Sequence, residues 1–334
     1  MLRYCLVVPK DEAEDVRQEL LANGMLEKHL KILRQGDFVL FPVRERFESR
    51  HSFAEMDFPE AFRPILHYSD VVELPDELKS LLPTSLDFIG DIALVRLPEE
   101  LNDHGAAVGE AILRAYKNVS CVFADEGVGG EFRIRNLRHL GGEDRTRTVH
   151  VEYGLRFAVD VSRAYFSPRL ATERVRVTGQ VKPGEVVLDL FTGVGPYAIM
   201  IAKMKEPSVV YAVDSNPAAF ELLEENIRRN RVDRVKAVQA DAREYLNTTE
   251  KVDRLILDLP QSAPDFYLGA LQAVNGGGTL HYYEIMEVVG LENRVEWLKG
   301  EAEWARINID IAGITEVKTY SASQKHYAID IRVC

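Results

Sequence analysis

At 334 residues, with 46% hydrophobic and 28% charged side chains, the chain has a soluble, globular composition and the length of two or three domains. No apolar run approaches the roughly 20 residues of a bilayer span, and the opening MLRYCLVVPKDEAEDV carries no signal-peptide pattern. A net charge of −12 speaks against nucleic acid as a partner. Three scattered cysteines give neither a disulfide framework nor a metal-ligand spacing, so the expectation is a reducing, cytoplasmic setting without membrane or metal.

The first segment reads as a small β-α-β unit. Tyr4–Pro9 is strand-like, Asp11–Ala22 has helical spacing through Val16, Leu20 and Leu21, Asn23-Gly24 stops that helix, and Asp37–Val43 resumes strand character. A polar, irregular run from about Arg44 to Ser69, with Pro59 and Pro64, reads as a linker. A second unit begins near Val71, with a helix over Glu77–Leu82, a strand over Ile92–Leu97 and a helix over Ala106–Tyr116. Four strand-like runs follow: Ser120–Ala124, Glu131–Leu137, Thr148–Tyr153 and Arg156–Val161. The loop Asp125–Gly130 (DEGVGG) separates the first two. A connecting helix over Arg169–Thr178 leads into the third unit. The expected organisation is a small N-terminal domain (1–50), a linker (51–70), an α+β domain (71–168) and an α/β domain (169–334).

From Gly184 onward short apolar strands alternate with helices. VVLDL (186–190), VVYAVD (209–214), KAVQAD (236–241) and RLILDLP (254–260) predict a parallel, doubly wound sheet. GTLHYYEI, a helix around Arg294–Ile307, then VKTYSA and HYAIDIRV close the chain, the last two as antiparallel strands joined by a tight turn. His281 and His326, both in aromatic-flanked strands, receive no catalytic role.

The loop Asp189–Tyr197 (DLFTGVGPY) links the first strand of this sheet to a helix. Gly193 and Gly195 let a ligand approach the backbone, where a helix N-terminus offers free N–H groups. Asp214 ends the next strand, placed to accept hydrogen bonds from two ribose hydroxyls, and Asp241 ends the third, where a carboxylate can meet adenine. Acidic or glycine features at three consecutive strand ends mark a nucleotide-cofactor site. Ala198 in the third glycine position of a dinucleotide loop leaves NAD open on spacing alone. The average charge also hides a local reversal. Between Arg133 and Arg176 lie ten arginines, five acids and no lysine. Arginine suits bidentate phosphate contacts and base stacking, although an ordinary solvated face is an equal reading of such a bias.

The pattern D-x-F-x-G-x-G-P with a later D/N-x-P resembles the S-adenosylmethionine-dependent methyltransferases. More specifically, FRIRNLRHLGGEDRT (132–146), VEYGLRFAVDV (151–161), AYFSPRLATERVRV (164–177), DLFTGVGPYAI, VDSNP (213–217) and HYYEI (281–285) together resemble the archaeal and eukaryotic tRNA (guanine-N1)-methyltransferases that act at position 37. The likeness is continuous from about Phe132 to the C-terminus and weaker over the first 130 residues.

This resemblance implies a Rossmann-like class I methyltransferase domain, mainly parallel with a C-terminal antiparallel hairpin, preceded by two small α+β domains. The implied cofactor is S-adenosylmethionine. Phe166, Arg174, Asp189, Phe191, Gly193, Gly195, Asp214, Ser215, Asn216, Asp241, Ala242 and Pro260 would hold it. The implied partner is tRNA, met at the anticodon stem-loop and the elbow by a monomer. Arg135, Arg138, Arg145, Tyr165 and Arg169 would contact the RNA, and the N-terminal domain would dock it. Tyr165 and Phe166 suit either stacking on a splayed base or core packing. Arg133 and Glu173 map onto the family's catalytic pair, the carboxylate removing the guanine N1 proton and the guanidinium stabilising charge on O6. The bland alternatives are a solvent-exposed helix pair for Glu173 with Arg174 and one more phosphate contact for Arg133. Asp258 stands where the family has asparagine; an ionised aspartate only accepts hydrogen bonds, so it can help remove the proton, hold the base edge or be purely structural.

Three other readings compete. An aminocarboxypropyl transferase uses the same scaffold, but this chain has the S-P-R-L and G-V-G-P words that it lacks. An NAD-dependent oxidoreductase shares the glycine loop. A non-catalytic tRNA-binding protein would have no need of the intact Asp189, Gly193, Gly195, Asp214 set.

Overall fold

Alternation of buried Leu6 and Val8 with more exposed residues makes Arg3–Pro9 a strand, β1, one face of which is covered by helix α1 (Ala13–Ala22) through Val16 and Leu20. Strands β2 (Leu33–Gln35), β3 (Phe38–Pro42) and β4 (Ser52–Met56) complete a four-stranded sheet in the order β2-β3-β1-β4. All its pairings are antiparallel, Val7 lying opposite Leu40 and Leu6 opposite Phe53. The strand, helix and strand expected here are present, but β1 and β3 pair antiparallel rather than as a parallel β-α-β unit. Gly36, with φ +58, sits in the tight connection between β2 and β3 that sends β3 back antiparallel to β1. The expected linker is corrected as well, since Ser52–Met56 is a strand paired with β1. Its residues are all exposed or only partly buried, and Phe53 and Met56, three apart, give no period-two alternation that would announce it.

This computed structural model describes residues 3–59, 67–321 and 323–334, and the chain separates into two units, Met1–His67 and Tyr68–Cys334. Pro64 of the expected linker lies outside the described residues.

The second unit opens with α2 (Asp76–Lys79), β5 (Leu86–Ile89), β6 (Ile92–Val95), α3 (Gly105–Ala115), β7 (Cys121–Gly129) and β8 (Ile134–Gly142). The strands form a sheet in the order β5-β6-β7-β8, with β6 and β7 parallel and α3 as their crossover. Close helix–sheet packing depends on Gly109, where a Cβ would come within 2.4 Å of the Leu140 carbonyl oxygen. The DEGVGG segment, expected as a loop, largely belongs to β7. A bulge between Asp125 and Val128 absorbs its irregular residues, so that Val128 still pairs with Arg135.

Strands β9 (Arg147–Glu152) and β10 (Leu155–Asp160) form a separate antiparallel hairpin. It leads through a 3₁₀ turn at Pro168–Leu170 into α4 (Ala171–Gln180). Then follow β11 (Val186–Asp189), α5 (Pro196–Met204), β12 (Val209–Asp214), α6 (Pro217–Asn230), β13 (Val235–Gln239), α7 (Ala242–Thr248), β14 (Val252–Leu257), α8 (Ala263–Gln272), β15 (Val274–Glu287), α9 (Leu291–Trp304), β16 (Ile309–Thr319) and β17 (Gln324–Val333). The seven-stranded sheet runs β13-β12-β11-β14-β15-β17-β16, parallel through β15 and antiparallel across the final hairpin. This is the doubly wound Rossmann-like sheet that the sequence called for.

Two α6 asparagines bind the backbone of β10. Asn226 Oδ1 accepts from Ala158 N–H at 2.6 Å, and Asn230 Oδ1 accepts from Arg156 N–H at 2.9 Å. A single apolar core contains Ile89, Phe123, Phe157, Phe166, Val187 and Ile199, so packing continues across residue 168. The segment around Tyr165–Ser167 is thereby held against the sheet's carboxyl ends.

Candidate active site

The apolar strands β11, β12 and β14 end side by side, and the turns at their carboxyl ends face one cleft of about 1210 Å³ including its open mouth. Phe191, Thr192 and Gly193 from the glycine loop, Asp214, Ser215 and Asn216 after β12, and Asp258 to Pro260 after β14 form its floor. Tyr165, Phe166, Ser167 and Arg174 form one wall, and Arg133 with its two preceding residues another. Lys318, Tyr320 and His326 come from the β16–β17 hairpin.

Local hydrogen bonds explain why the loop holds its shape. Thr192 Oγ1 donates to Asp189 at 2.6 Å, and Thr192 N–H donates to the Val213 carbonyl at 3.0 Å. Gly193 N–H donates to Asp214 Oδ2 at 2.7 Å, while Asp214 Oδ1 accepts from Asn216 N–H at 2.9 Å. Asp214 therefore ties two turns together and keeps further lone pairs for a ligand. Gly195 lies outside the lining. With φ +87 and a would-be Cβ 2.4 Å from Leu223 Cδ1, it serves the turn into α5. Asp189 also lies outside, almost wholly buried beneath the loop.

Asp241, expected at the adenine, and Ala242, expected to bind the cofactor, do not line the cleft. Asp241 caps α7, accepting from Arg243 and Glu244 N–H, and Ala242 is buried in that helix's first turn. Phe166 packs under the guanidinium of Arg174, which is itself 2% exposed. Arg174 Nη1 bonds Glu152 at 2.5 Å and Nη2 bonds the Ser167 carbonyl at 2.8 Å. This buried pair fixes the Tyr165–Ser167 wall.

Burial raises three carboxyls here. Asp189 is pushed up to about 7 and Asp258 to about 6, chiefly by desolvation, with Asp258 and Asp214 adding repulsion at Asp189. Asp214 is raised by the same cause despite its two backbone donors. Such mutual repulsion suits a cationic ligand and opposes an anionic one. S-adenosylmethionine carries a sulfonium and an ammonium, whereas a dinucleotide would bring a pyrophosphate into the same acids. The residues present fit the former.

The basic island proves to be largely neutralised. Arg135 pairs with Asp125, Arg138 with Glu126, Arg145 with Asp91 and Glu143, and Arg169 with Asp87. Arg147 and Arg163 pair with Glu225 and Glu221 of α6. Most of these partners lie outside the arginine-rich stretch, which is why the stretch looked bare in sequence. Arg135 also stacks on Tyr165, 5.2 Å from its ring centre. Arg133 is different: it is half-buried at the cleft with φ +53, and among the described residues its guanidinium bonds Gln261 and pairs with no carboxylate.

Glu173 does not line the cleft. It is 4% exposed and accepts from the Tyr283 hydroxyl at 2.6 Å and from Arg176 at 2.7 and 2.8 Å. Arg176 continues to Asp330, which accepts from His281 Nδ1 at 2.7 Å; His281 Nε2 in turn accepts from Arg254. Tyr197, Lys318 and His326 are cleft residues that the sequence reading left without a role. Tyr197 sat in view within GVGPY, but Lys318 and His326 arrive from more than a hundred residues downstream. His326 is 2% exposed, and neither ring nitrogen has a hydrogen-bond partner among the described residues, Nε2 standing 3.9 Å from Asp258 Oδ1. Its basicity is lowered to about 3, first by burial and then by Lys318, so the ring is neutral. Among the described residues no group of ligands suits a metal ion, and no helix is long and apolar enough to cross a membrane.

The sheet order, the glycine loop and the acid-lined cleft define an S-adenosylmethionine-dependent methyltransferase. Comparison with known proteins gives the particular group. Residues 148–310 match the TRM5/TYW2 methyltransferase domain, 69–146 the TYW2 N-terminal domain and 5–51 the tRNA methyltransferase 5 N-terminal domain. The chain belongs to the TRM5/TYW2 methyltransferase family. It is 39% identical over 332 residues to tRNA (guanine(37)-N(1))-methyltransferase Trm5b of Pyrococcus abyssi, covering 98% of each chain. It is 31% identical over 263 residues to a tRNA(Phe) (4-demethylwyosine(37)-C(7)) aminocarboxypropyltransferase of Pyrococcus horikoshii, covering 78% of this chain and 93% of the relative. A solved complex of aTrm5 with tRNALeu superposes with a TM-score of 0.78 at 30% identity, covering 99% of both chains.

Proposed function

We propose that the chain methylates N1 of guanosine 37 in tRNA, 3′ to the anticodon, with Glu173 as general base and Arg133 stabilising charge on O6. The observation that carries this reading is the cleft itself. One cavity joins the glycine loop and Asp214 to Arg133 and Asp258, with Glu173 buried behind it.

Guanine N1 bears a proton, so it is not a nucleophile until that proton leaves. A carboxylate that takes the proton contributes about 10²–10⁴-fold in rate. Negative charge then spreads to O6, where the Arg133 guanidinium at the cleft stabilises it. Asp258, limited to accepting, holds the 2-amino edge of the base and so orients N1. When bound, S-adenosylmethionine supplies an electrophilic methyl carbon, and the N1 electron pair displaces the thioether. Phe166, Phe191, Gly193, Asp214, Ser215, Asn216 and Pro260 would hold that donor. Asp189, Gly195 and Arg174 support the same loops from behind.

The tRNA partner would present its anticodon stem-loop to the cleft and its elbow to the N-terminal unit, in the cytoplasm, with the protein acting as a monomer. Since most arginines of the island are paired internally, Arg133 and Lys318 are the cations that face the base, while Arg138, Arg145 and Arg169 would reach phosphates only by exchanging partners. Greater identity and fuller coverage favour the methyl reaction over aminocarboxypropyl transfer. Glu173→Gln and Arg133→Ala should each lower single-turnover methyl transfer by about tenfold or more, while S-adenosylmethionine affinity stays near wild type. Unchanged turnover in both variants removes the proposed pair.

A further inference from the structure

Glu173 poses a geometric problem as a base, because it is outside the cleft lining and its carboxylate is already engaged. Two tyrosines bridge the gap. Tyr197 lines the cleft and is 4% exposed; its hydroxyl donates to the Tyr283 hydroxyl at 3.3 Å. Tyr283 is fully buried, and its hydroxyl donates to Glu173 Oε1 at 2.6 Å. Both donors point the same way, from cleft to carboxylate. The Tyr197 oxygen keeps accepting lone pairs, since each phenol offers one donor and accepting lone pairs, and Tyr197 itself lines the cleft.

We infer that Tyr197 and Tyr283 form a proton relay that carries the guanine N1 proton to Glu173. This deepens the proposed methyl transfer and rests on Glu173 being the base. In the step the N1–H bond breaks and its electron pair stays on N1. The proton bonds to the Tyr197 oxygen, the Tyr197 proton passes to the Tyr283 oxygen, and the Tyr283 proton passes to Glu173. Three bonds to hydrogen break and three form, both phenols end neutral, and one negative charge moves from Glu173 to the base. After product leaves, the reverse passage returns the proton to water in the cleft.

The surroundings suit a concerted passage. Burial holds both phenols well above their ordinary range, with the Asp258 and Glu173 charges adding to the effect, so neither tyrosine rests as a tyrosinate. Arg176 holds the receiving carboxylate from the opposite side through both oxygens, which keeps Oε1 aimed at Tyr283. A direct transfer would instead require Glu173 to leave Arg176 and Tyr283 together. A core-packing role for the two rings is compatible with their burial but gives no reason for two hydroxyls aligned toward one carboxylate.

The test uses the full chain with unmodified tRNA transcript in single-turnover methyl transfer, run in mixtures of H2O and D2O. Tyr197→Phe and Tyr283→Phe keep the rings and remove one oxygen each. Both should slow transfer by about tenfold or more. Tyr283 lies behind the cleft wall, so Tyr283→Phe should leave S-adenosylmethionine affinity within about twofold of wild type. The wild-type rate should fall along a curve as deuterium content rises, because several protons move together, and the line should straighten in Tyr283→Phe. A wild-type rate in both Phe variants, or a slowed Tyr283→Phe with an unchanged isotope curve, overturns the relay. Glu173→Gln separates the two levels. If it is slow while both Phe variants are fast, the relay alone falls; if it turns over normally, the base assignment falls and takes the relay with it.

Discussion

Replacing Asp214 with alanine tests how the cleft holds its donor. Asp214 Oδ2 accepts from Gly193 N–H at 2.7 Å and Oδ1 from Asn216 N–H at 2.9 Å, leaving each oxygen further acceptor capacity toward the cleft. If that capacity binds ribose hydroxyls, Asp214→Ala removes charge-assisted bonds worth about 1–3 kcal/mol, which corresponds to a rise of about 5–150-fold in the Kd for S-adenosylmethionine. The ligand-free protein should lose less, because the variant also relieves a carboxylate that burial holds partly desolvated. Asp214→Asn should fall between, its amide oxygen serving one of the two N–H groups while its NH2 opposes the other. Isothermal titration gives the affinity, and thermal denaturation without ligand gives the structural cost. An Asp214→Ala affinity within about twofold of wild type would place the ribose elsewhere and refute the reasoning.

Arg174→Met should destabilise the fold by about 3–5 kcal/mol in urea denaturation, because it strands Glu152, 5% exposed, without its cation. Adding Glu152→Leu should recover most of that loss, and a double variant as weak as the single one would contradict the pairing. Protons should compete with the donor: S-adenosylmethionine affinity should fall as pH drops from 8 through the region near 7 and 6 where Asp189 and Asp258 take up protons. The sign follows because a cationic ligand favours the ionised carboxylates, so acid opposes its binding. Affinity that is flat with pH would mean those acids do not face the donor's charge.

The methyltransferase sheet was legible because its strands are short apolar runs punctuated by glycine or aspartate at their ends, and those ends are where the cleft forms. Asp214, Gly193 and Asp258 could be placed in one site from chain order alone. The setting of Glu173 could not. Its partners Tyr283 and Arg176 lie 110 and three residues away, and Asp330, which holds Arg176, is 154 residues from it. The arginine island misled for the same reason: Asp87, Asp91, Asp125, Glu221 and Glu225 neutralise it from other elements. Asp241 shows the opposite ambiguity, since an aspartate at a strand end is also the residue type that caps the following helix. Strand β4 escaped notice because this short edge strand, with Phe53 and Met56 three apart, has no period-two signal.

The central claim is that this cleft methylates N1 of a guanosine beside the anticodon. The most direct measurement incubates the protein and S-adenosylmethionine with two tRNA transcripts that differ only in guanosine or adenosine at position 37, then digests the RNA and identifies the modified nucleoside by mass spectrometry. We expect 1-methylguanosine from the first transcript and no modified nucleoside from the second. Methyl incorporation from the adenosine transcript, a methyl on another atom of guanine, or an added aminocarboxypropyl mass would contradict the account.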